Sequence, residues 1–133
     1  MYNTLIFVDR FNVNFYMKKK ILVIEDDEDI QDILTLLLTE EGYEVVSSRD
    51  GKIVEDIKTI LPDLVLCDIW VPTVKGSEIC KIIKSDETTK HIPFILISTS
   101  IKLSNLALEC GADDYIQKPF HIKEVTTLLK AYI

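Results

Sequence analysis

The amino-acid sequence predicts an α/β fold in which helices cover both faces of a parallel sheet. From residue 20 onward, short apolar runs alternate with amphipathic stretches, and five such pairs follow one another. The chain has 133 residues, of which 47% are hydrophobic and 28% charged. This size and apolar content suit one compact domain with a substantial core.

The first half of the chain contains three of the predicted strands and two of the helices. A helix with apolar residues at relative positions 0, 3, 4, 7 and 8 follows the first strand and ends at Gly42. Asp50 can cap the second helix, which Pro62 ends. The three strands are the runs at 21–24, 43–48 and 64–67.

The second half repeats the pattern. A weaker helix is predicted from about Lys102 to Cys110, and the last helix carries apolar residues from Ile122 to Tyr132. The two strands of this half are the runs at 93–97 and 114–117. The third helix begins near Gly76 and is expected to turn four side chains inward: Ile79, Cys80, Ile82 and Ile83.

Residues 1–16 are predicted to be an N-terminal extension, which leaves the domain at 17–133. Met17 and the three lysines after it have the form of a natural start placed directly before the first strand. The extension is then an upstream start or added sequence without function. The alternation at 11–15 leaves a second interpretation open, an added edge strand or dimer contact. A signal peptide is not expected, because the basic cluster follows the apolar patch.

Charge and cysteine content exclude several classes of function. The net charge of -7 argues against direct binding of nucleic acid, because phosphate backbones attract proteins with a surplus of lysine and arginine. No apolar run approaches the roughly 18 residues that membrane insertion requires. Cys67, Cys80 and Cys110 have no metal-binding spacing, so we interpret them as reduced core residues of a cytoplasmic protein.

Polar side chains stand where the predicted strands end: Glu25, Asp26, Asp68, Ser98 and Lys118. In open parallel sheets, ligands bind outside the carboxyl ends of the strands, so these groups are expected to share one site. Carboxylates that lie close together repel one another and favour a cation. Mg²⁺ prefers oxygen ligands and often shares them with phosphate. Asp68 would then be a nucleophile that forms an aspartyl phosphate.

Four ordered motifs make the chain similar to a known family. They are ILVIEDD at 21–27, PDLVLCDIWVP at 62–72, IST at 97–99 and GADDYIQKPF at 111–120. Together they resemble the receiver domain of two-component response regulators, of the single-domain chemotaxis type, over residues 17–133. The resemblance implies a flavodoxin-like three-layer sandwich, with a five-stranded parallel sheet in the order 2-1-3-4-5 and five helices.

The resemblance also implies a phosphorylation site. Asp68 would accept a phosphoryl group from a phosphohistidine of a sensor histidine kinase or a histidine phosphotransfer protein. Asp26 and Asp68 would bind Mg²⁺ directly, for which Mn²⁺ can substitute. The backbone carbonyl of Trp70 would be the third protein ligand, and Glu25 would act through water.

The remaining implied roles concern signalling. Lys118 would pair with the phosphoryl oxygens, Ser98 would donate a hydrogen bond to one of them, and Tyr115 would be the switch residue. A stand-alone receiver would signal to a downstream target through the face of helix 4, strand 5 and helix 5, which is also the candidate homodimer contact. Its chemistry would be limited to self-phosphorylation and self-dephosphorylation. The resemblance further implies a cis peptide bond between Lys118 and Pro119.

Trp70 departs from the usual pattern, in which a smaller or polar residue stands two positions after the acceptor. A bulky ring there is expected to hinder the attacking water and to lengthen the phosphorylated state. The same residue argues against a haloacid dehalogenase phosphatase, which needs an aspartate at that position. The acids at 25–29 argue against a nucleotide- or flavin-binding module. A receiver-like interaction module without phosphorylation is the alternative.

Overall fold

The computed structural model describes residues 18–133, which form a five-stranded parallel sheet with helices on both faces. The strand order is β2-β1-β3-β4-β5, so the predicted fold class and topology are confirmed. The predictions for residues 1–16 and for Met17 lie outside the described residues. The strands are β1 Lys20–Ile24, β2 Glu44–Ser48, β3 Leu64–Asp68, β4 Phe94–Ser98 and β5 Asp114–Gln117.

The helices occur where the apolar spacing predicts them, with one difference. The second helical segment begins as a 3-10 helix at Gly51–Asp56 and becomes α-helical only at Ile57–Ile60 (α2). Gly51 lies so close to the loop after β3 that an added Cβ would be 2.2 Å from the Val74 carbonyl oxygen. The other helices are α1 Glu28–Glu40, α3 Gly76–Ser85, α4 Leu103–Cys110 and α5 Ile122–Tyr132.

Local sequence signals explain where the longest helix begins and ends. The Asp27 carboxylate caps α1 by accepting the Ile30 backbone N–H at 3.0 Å, which satisfies a donor that the helix leaves unpaired. After α1, Gly42 adopts a φ of 95°, a left-handed conformation that glycine enters without a steric penalty. The chain can therefore turn directly from α1 into β2.

Each face of the sheet has its own apolar core, because the central strands β1, β3 and β4 carry runs of four apolar residues whose side chains alternate between the two faces. The core beneath α1 and α5 contains Leu34, Leu38, Val125 and Leu129. The opposite core includes Val54, Ile79, Cys80, Ile83, Leu103 and Cys110. Burying a large apolar side chain stabilises the fold by roughly 1.5–3 kcal/mol.

The predicted inward face of α3 was wrong at one position. Ile79, Cys80 and Ile83 are fully buried, whereas Ile82 remains 46% exposed. A helix buries only the stripe that faces the sheet, and Ile82 lies at the margin of that stripe. Cys67, Cys80 and Cys110 are buried free thiols, which confirms their predicted place in the core.

The amino edge of the sheet, where the strands begin, uses two acids to hold the backbone. Asp63 accepts the Lys20 backbone N–H at 2.7 Å, and Asp113 accepts the Phe94 N–H at 2.7 Å. The Lys84 ammonium also pairs with Asp113 at 2.7 Å. At this edge each carboxylate therefore has a defined donor. No helix between residues 18 and 133 has the length and hydropathy to cross a membrane.

Candidate functional site

Three carboxylates converge at the carboxyl edge of the sheet, where the strands end. Asp68 is the last residue of β3, while Glu25 and Asp26 directly follow β1. One carboxylate oxygen from each residue lies within 4.8 Å of the other two. Glu25 is 1% exposed and Asp68 6%, whereas Asp26 is open to solvent. The structure thus brings together the acids that the sequence singled out.

Lys118 bridges the two buried acids. Its ammonium nitrogen lies 2.6 Å from Glu25 Oε1 and 2.6 Å from Asp68 Oδ2. Burial opposes the charge on Lys118, but these two ion pairs outweigh that effect and raise its pKa. Burial also raises the pKa of the Glu25 carboxyl from 4.5 to about 7, even though Lys118 counteracts the shift. The lysine therefore stays charged between two buried acids.

The second oxygen of each buried acid accepts a backbone hydrogen bond. Asp68 Oδ1 accepts the Trp70 N–H at 3.0 Å, and Glu25 Oε2 accepts the Asp27 N–H at 3.2 Å. In addition, the Gln31 side-chain amide donates to the Glu25 carbonyl oxygen at 3.2 Å. Both acids are thus held in one orientation. The support from Gln31 was not predicted, because only the turn into α1 places it beside β1.

Gly76 is a second residue whose role the sequence reasoning missed. A Cβ at Gly76 would lie 2.2 Å from the Asp68 carbonyl oxygen and 2.8 Å from Ile69 Cα. The Gly76 N–H donates to the Ile69 carbonyl at 2.8 Å. Because Gly76 has no side chain, α3 can begin directly against the end of β3. The available signal was a glycine at the first position of a helix that follows a short loop from the strand ending in Asp68.

Ser98 and Lys118 are joined through their backbones. The Lys118 N–H donates to the Ser98 carbonyl at 2.9 Å, and the Ser98 side chain is 1% exposed. Ser98 Oγ accepts the Ser100 N–H at 3.2 Å. The Lys118–Pro119 peptide is cis, as the resemblance implied. The end of β4 is therefore tied to the lysine that contacts the acids.

Two aromatic residues singled out by the sequence lie in open positions. Trp70 is 57% exposed, and the Lys75 ammonium lies 5.1 Å from its ring centroid, within the range of a cation–π contact. Tyr115 on β5 is 41% exposed and forms no part of the acidic cluster. The tryptophan ring therefore lies open in the loop after β3, while the tyrosine ring lies on the surface of the sheet edge.

The charges of the site suit a divalent cation. Three carboxylates share a single ammonium here, and ionised carboxylates at ~4 Å repel one another by about 1–4 kcal/mol per pair. A hard cation with oxygen ligands, such as Mg²⁺, removes that repulsion. Among residues 18–133, the cluster of Glu25, Asp26 and Asp68 is the one group of potential ligands close enough to hold a metal ion.

Comparison with known proteins places the chain in a family. Residues 21–130 match the profile of the response regulator receiver domain. The DNA-binding response regulator MtrA of Mycobacterium tuberculosis H37Rv is 33% identical over 118 residues, which cover 86% of this chain and 50% of the relative. The regulatory protein PhoP of Bacillus subtilis is 36% identical over 118 residues, 88% of this chain and 49% of PhoP. The chain thus spans about half the length of these curated relatives.

Solved structures agree in fold. The signal receiver domain of a histidine kinase from Syntrophus aciditrophicus has a TM-score of 0.80 and 30% identity, with 86% of this chain and 89% of that chain covered. A kinase receiver domain from Pseudomonas aeruginosa has a TM-score of 0.79 and 27% identity, with coverage of 87% and 98%. That structure contains a magnesium ion in the active-site cleft. The chain belongs to the response regulator receiver domain family of two-component systems.

Proposed function

We propose that this receiver accepts a phosphoryl group on Asp68 from the phosphohistidine of a sensor histidine kinase or histidine phosphotransfer protein. The observation that carries the proposal is the placement of Asp68 at the end of β3, within the acidic cluster and in an ion pair with Lys118. In the reaction, an Asp68 carboxylate oxygen forms a bond to phosphorus while the bond from phosphorus to the histidine nitrogen breaks. The histidine leaves as imidazole, and Asp68 becomes an acyl phosphate.

Three of the four residues proposed as metal ligands, Glu25, Asp26 and Asp68, lie together in the carboxylate cluster. Asp26 and Asp68 offer carboxylate oxygens for Mg²⁺, the Trp70 backbone carbonyl offers a third ligand, and Glu25 acts through water. When bound, the ion neutralises charge on the phosphoryl group and on the acids. Asp26 suits direct ligation because its side chain is exposed at the mouth of the site. Mn²⁺ satisfies the same oxygen ligands.

Lys118 is proposed to change its ion-pair partner as negative charge moves from Asp68 to the phosphoryl group. Before phosphorylation, its ammonium is shared between Asp68 and Glu25 at 2.6 Å each. Formation of the acyl phosphate removes the negative charge from the Asp68 carboxylate, and the phosphoryl oxygens present new negative charge next to it. Glu25 still holds the ammonium in the site, so Lys118 can turn to the phosphoryl oxygens without leaving. Glu25 is therefore proposed as a positioning residue for Lys118.

The proposed output begins at Ser98. Its hydroxyl would donate to a phosphoryl oxygen and draw the loop after β4 inward, and Tyr115 would respond as the switch residue. The surface of α4, β5 and α5 would then contact a downstream target or a second copy of the chain. The protein would act in the cytoplasm as a signalling domain that turns over only its own phosphate. The three free thiols agree with a reducing compartment.

The decisive experiment is incubation with a small-molecule phosphodonor, with and without Mg²⁺, followed by intact mass measurement. The wild type is expected to gain one phosphoryl group in the presence of Mg²⁺, whereas Asp68→Asn is not. Asp56→Asn is the matched control, because Asp56 is an exposed aspartate outside the cluster. Equal labelling of wild type and Asp68→Asn would refute the assigned acceptor. An unlabelled wild type would favour the alternative, a receiver-like interaction module without phosphorylation.

The stand-alone arrangement stays a prediction. The curated relatives, a DNA-binding response regulator and a transcriptional regulatory protein, are about twice the length of this chain, so an attached output domain is the competing arrangement. The mass of the protein in its native cells tests the prediction by immunoblot. A band near 15.3 kDa is expected for a stand-alone receiver, and a band about twice that size would contradict it.

A further inference from the structure

A pair of cysteines lies where α3 and α4 pack against the same face of the sheet. Cys80 lies in the middle of α3, and Cys110 is the last residue of α4. The Cys80 sulfur lies 3.3 Å from the backbone carbonyl oxygen of Cys110, an atom only two bonds from the Cα of Cys110. The Cys110 thiol lies 3.5 Å from the Ala107 carbonyl oxygen in the same buried layer. The Cys80 side chain therefore reaches the backbone of Cys110 within one apolar core.

The environments of the three cysteines differ. The contact with the Cys80 thiol lowers the pKa of Cys110 to about 7 and raises the pKa of Cys80. Burial raises the pKa of Cys67 well above its usual value. Because the thiolate is the form that attacks an oxidant, Cys110 is the more reactive member of the pair and Cys67 is inert. Cys110 also retains 4% exposure, whereas Cys80 and Cys67 have none.

We propose that Cys80 and Cys110 are a redox modification site, which a hydroperoxide converts into an intramolecular disulfide between α3 and α4. The Cys110 thiolate attacks one peroxide oxygen, the O–O bond breaks, and hydroxide leaves, which gives a sulfenic acid. The Cys80 sulfur then attacks the Cys110 sulfur and releases water. In total, two thiols lose two hydrogen atoms, and hydrogen peroxide is reduced to two molecules of water. A small thiol reverses the bond by exchange.

Access to the pair requires only a local opening of α4. That helix has eight residues, and its N-cap residue Lys102 makes no side-chain capping hydrogen bond. Its outer face leaves Leu108 81% exposed, so few apolar contacts hold that side of the helix. Short helices with few buried contacts open at low free energy. The resulting bond would fix the end of α4 that lies furthest from the loop after Ser98.

The test uses the wild-type chain under native conditions. After treatment with hydrogen peroxide, the protein is denatured, alkylated, digested with trypsin and analysed by mass spectrometry. The three cysteines fall in three different tryptic peptides, because lysines separate them in the sequence. We expect a loss of about 2 Da, one alkylated cysteine at position 67, and a linked pair of peptides that contain Cys80 and Cys110. Reduction should restore three alkylated cysteines.

Variants separate this inference from the proposed phosphorylation. Asp68→Asn should form the same disulfide, since the pair does not depend on the acceptor. Cys67→Ala should retain the linked peptides, whereas Cys80→Ala and Cys110→Ala should lose them. Three alkylated cysteines after oxidation, a bond that includes Cys67, or a bond between two molecules would each overturn the proposal. The wild-type peptide map decides the question even where an alanine variant folds poorly.

Discussion

The two edges of the sheet use acidic residues in opposite ways. At the amino edge, Asp63 and Asp113 each accept a backbone N–H, and Lys84 pairs with Asp113. At the carboxyl edge, Glu25, Asp26 and Asp68 converge with one lysine between them. The amino edge is electrostatically satisfied by the chain itself. The carboxyl edge gathers three carboxylates around a single lysine, an arrangement that an added divalent cation would stabilise.

This difference indicates which acids stabilise the fold and which are available to bind a ligand. Acids with fixed donors stabilise the strand beginnings, and their removal should affect folding alone. Acids that outnumber their cationic partners repel one another, and a bound metal ion reduces that repulsion. Substitution of these acids should therefore affect ligand binding more than folding. The following predictions compare variants at the two edges, in order of decreasing effect.

The largest effect is expected from Lys118→Met, which removes the cation but retains much of the side-chain volume. Glu25 and Asp68 would remain as buried acids without a partner, which destabilises the fold by about 3 kcal/mol. Urea unfolding in the absence of divalent cations measures the change. Lys130→Met is the matched control, because the Lys130–Glu41 pair is exposed and contributes less than about 1 kcal/mol. Equal losses in the two variants would contradict the buried ion pair.

A smaller effect is expected at the amino edge from Asp113→Ala. The Phe94 N–H and the Lys84 ammonium lose their shared acceptor, which should lower stability by about 1–3 kcal/mol. Urea unfolding measures the loss, and a thermal-shift titration measures Mg²⁺ affinity. The affinity should remain unchanged, because Asp113 lies at the opposite edge from the acids. A weaker Mg²⁺ response would show that the two edges are not independent.

Asp26→Asn should change stability in the opposite direction. Without a divalent cation, the variant loses repulsion from Glu25 and Asp68, so stability should rise by up to about 1 kcal/mol. The stabilisation that added Mg²⁺ gives the wild type should shrink, because a neutral amide is a weaker ligand. Unfolding with and without Mg²⁺ tests both parts. If Asp26→Asn is less stable than the wild type in the absence of Mg²⁺, repulsion among the three acids does not destabilise this edge.

Trp70→Asn is expected to have the smallest effect on stability and to change the rate of dephosphorylation instead. The ring is more than half exposed and stands next to the acceptor strand, so its removal should admit water to the acyl phosphate. Dephosphorylation of pre-labelled protein should become severalfold faster, while urea unfolding changes little. Leu61→Asn is a suitable control, since Leu61 is 56% exposed and precedes β3. An unchanged or slower rate in Trp70→Asn would contradict the shielding role.

The strand ends were predictable because each apolar run stops at a polar residue. The sequence alone thus predicts that one edge of the sheet carries three of the site side chains, those of Asp68, Ser98 and Lys118. The double ion pair of Lys118 was not predictable in the same way, since its partners lie 93 and 50 positions earlier in the chain. The exposure of Ile82 was missed for a related reason: spacing gives the direction of the apolar stripe on a helix, but only packing gives its width.

Lys118 follows its two partners, Glu25 and Asp68, by 93 and 50 positions in the chain, which has a consequence for the newly made protein. During synthesis, the strand that ends in Asp68 emerges from the ribosome well before Lys118 does, because translation adds about 5–20 residues per second. A nascent chain that presents Asp68 therefore lacks the cation that pairs with it. Under the proposed function, the site is complete only after the loop that follows β5 has been made, so a chain terminated before Lys118 is expected to remain unphosphorylated.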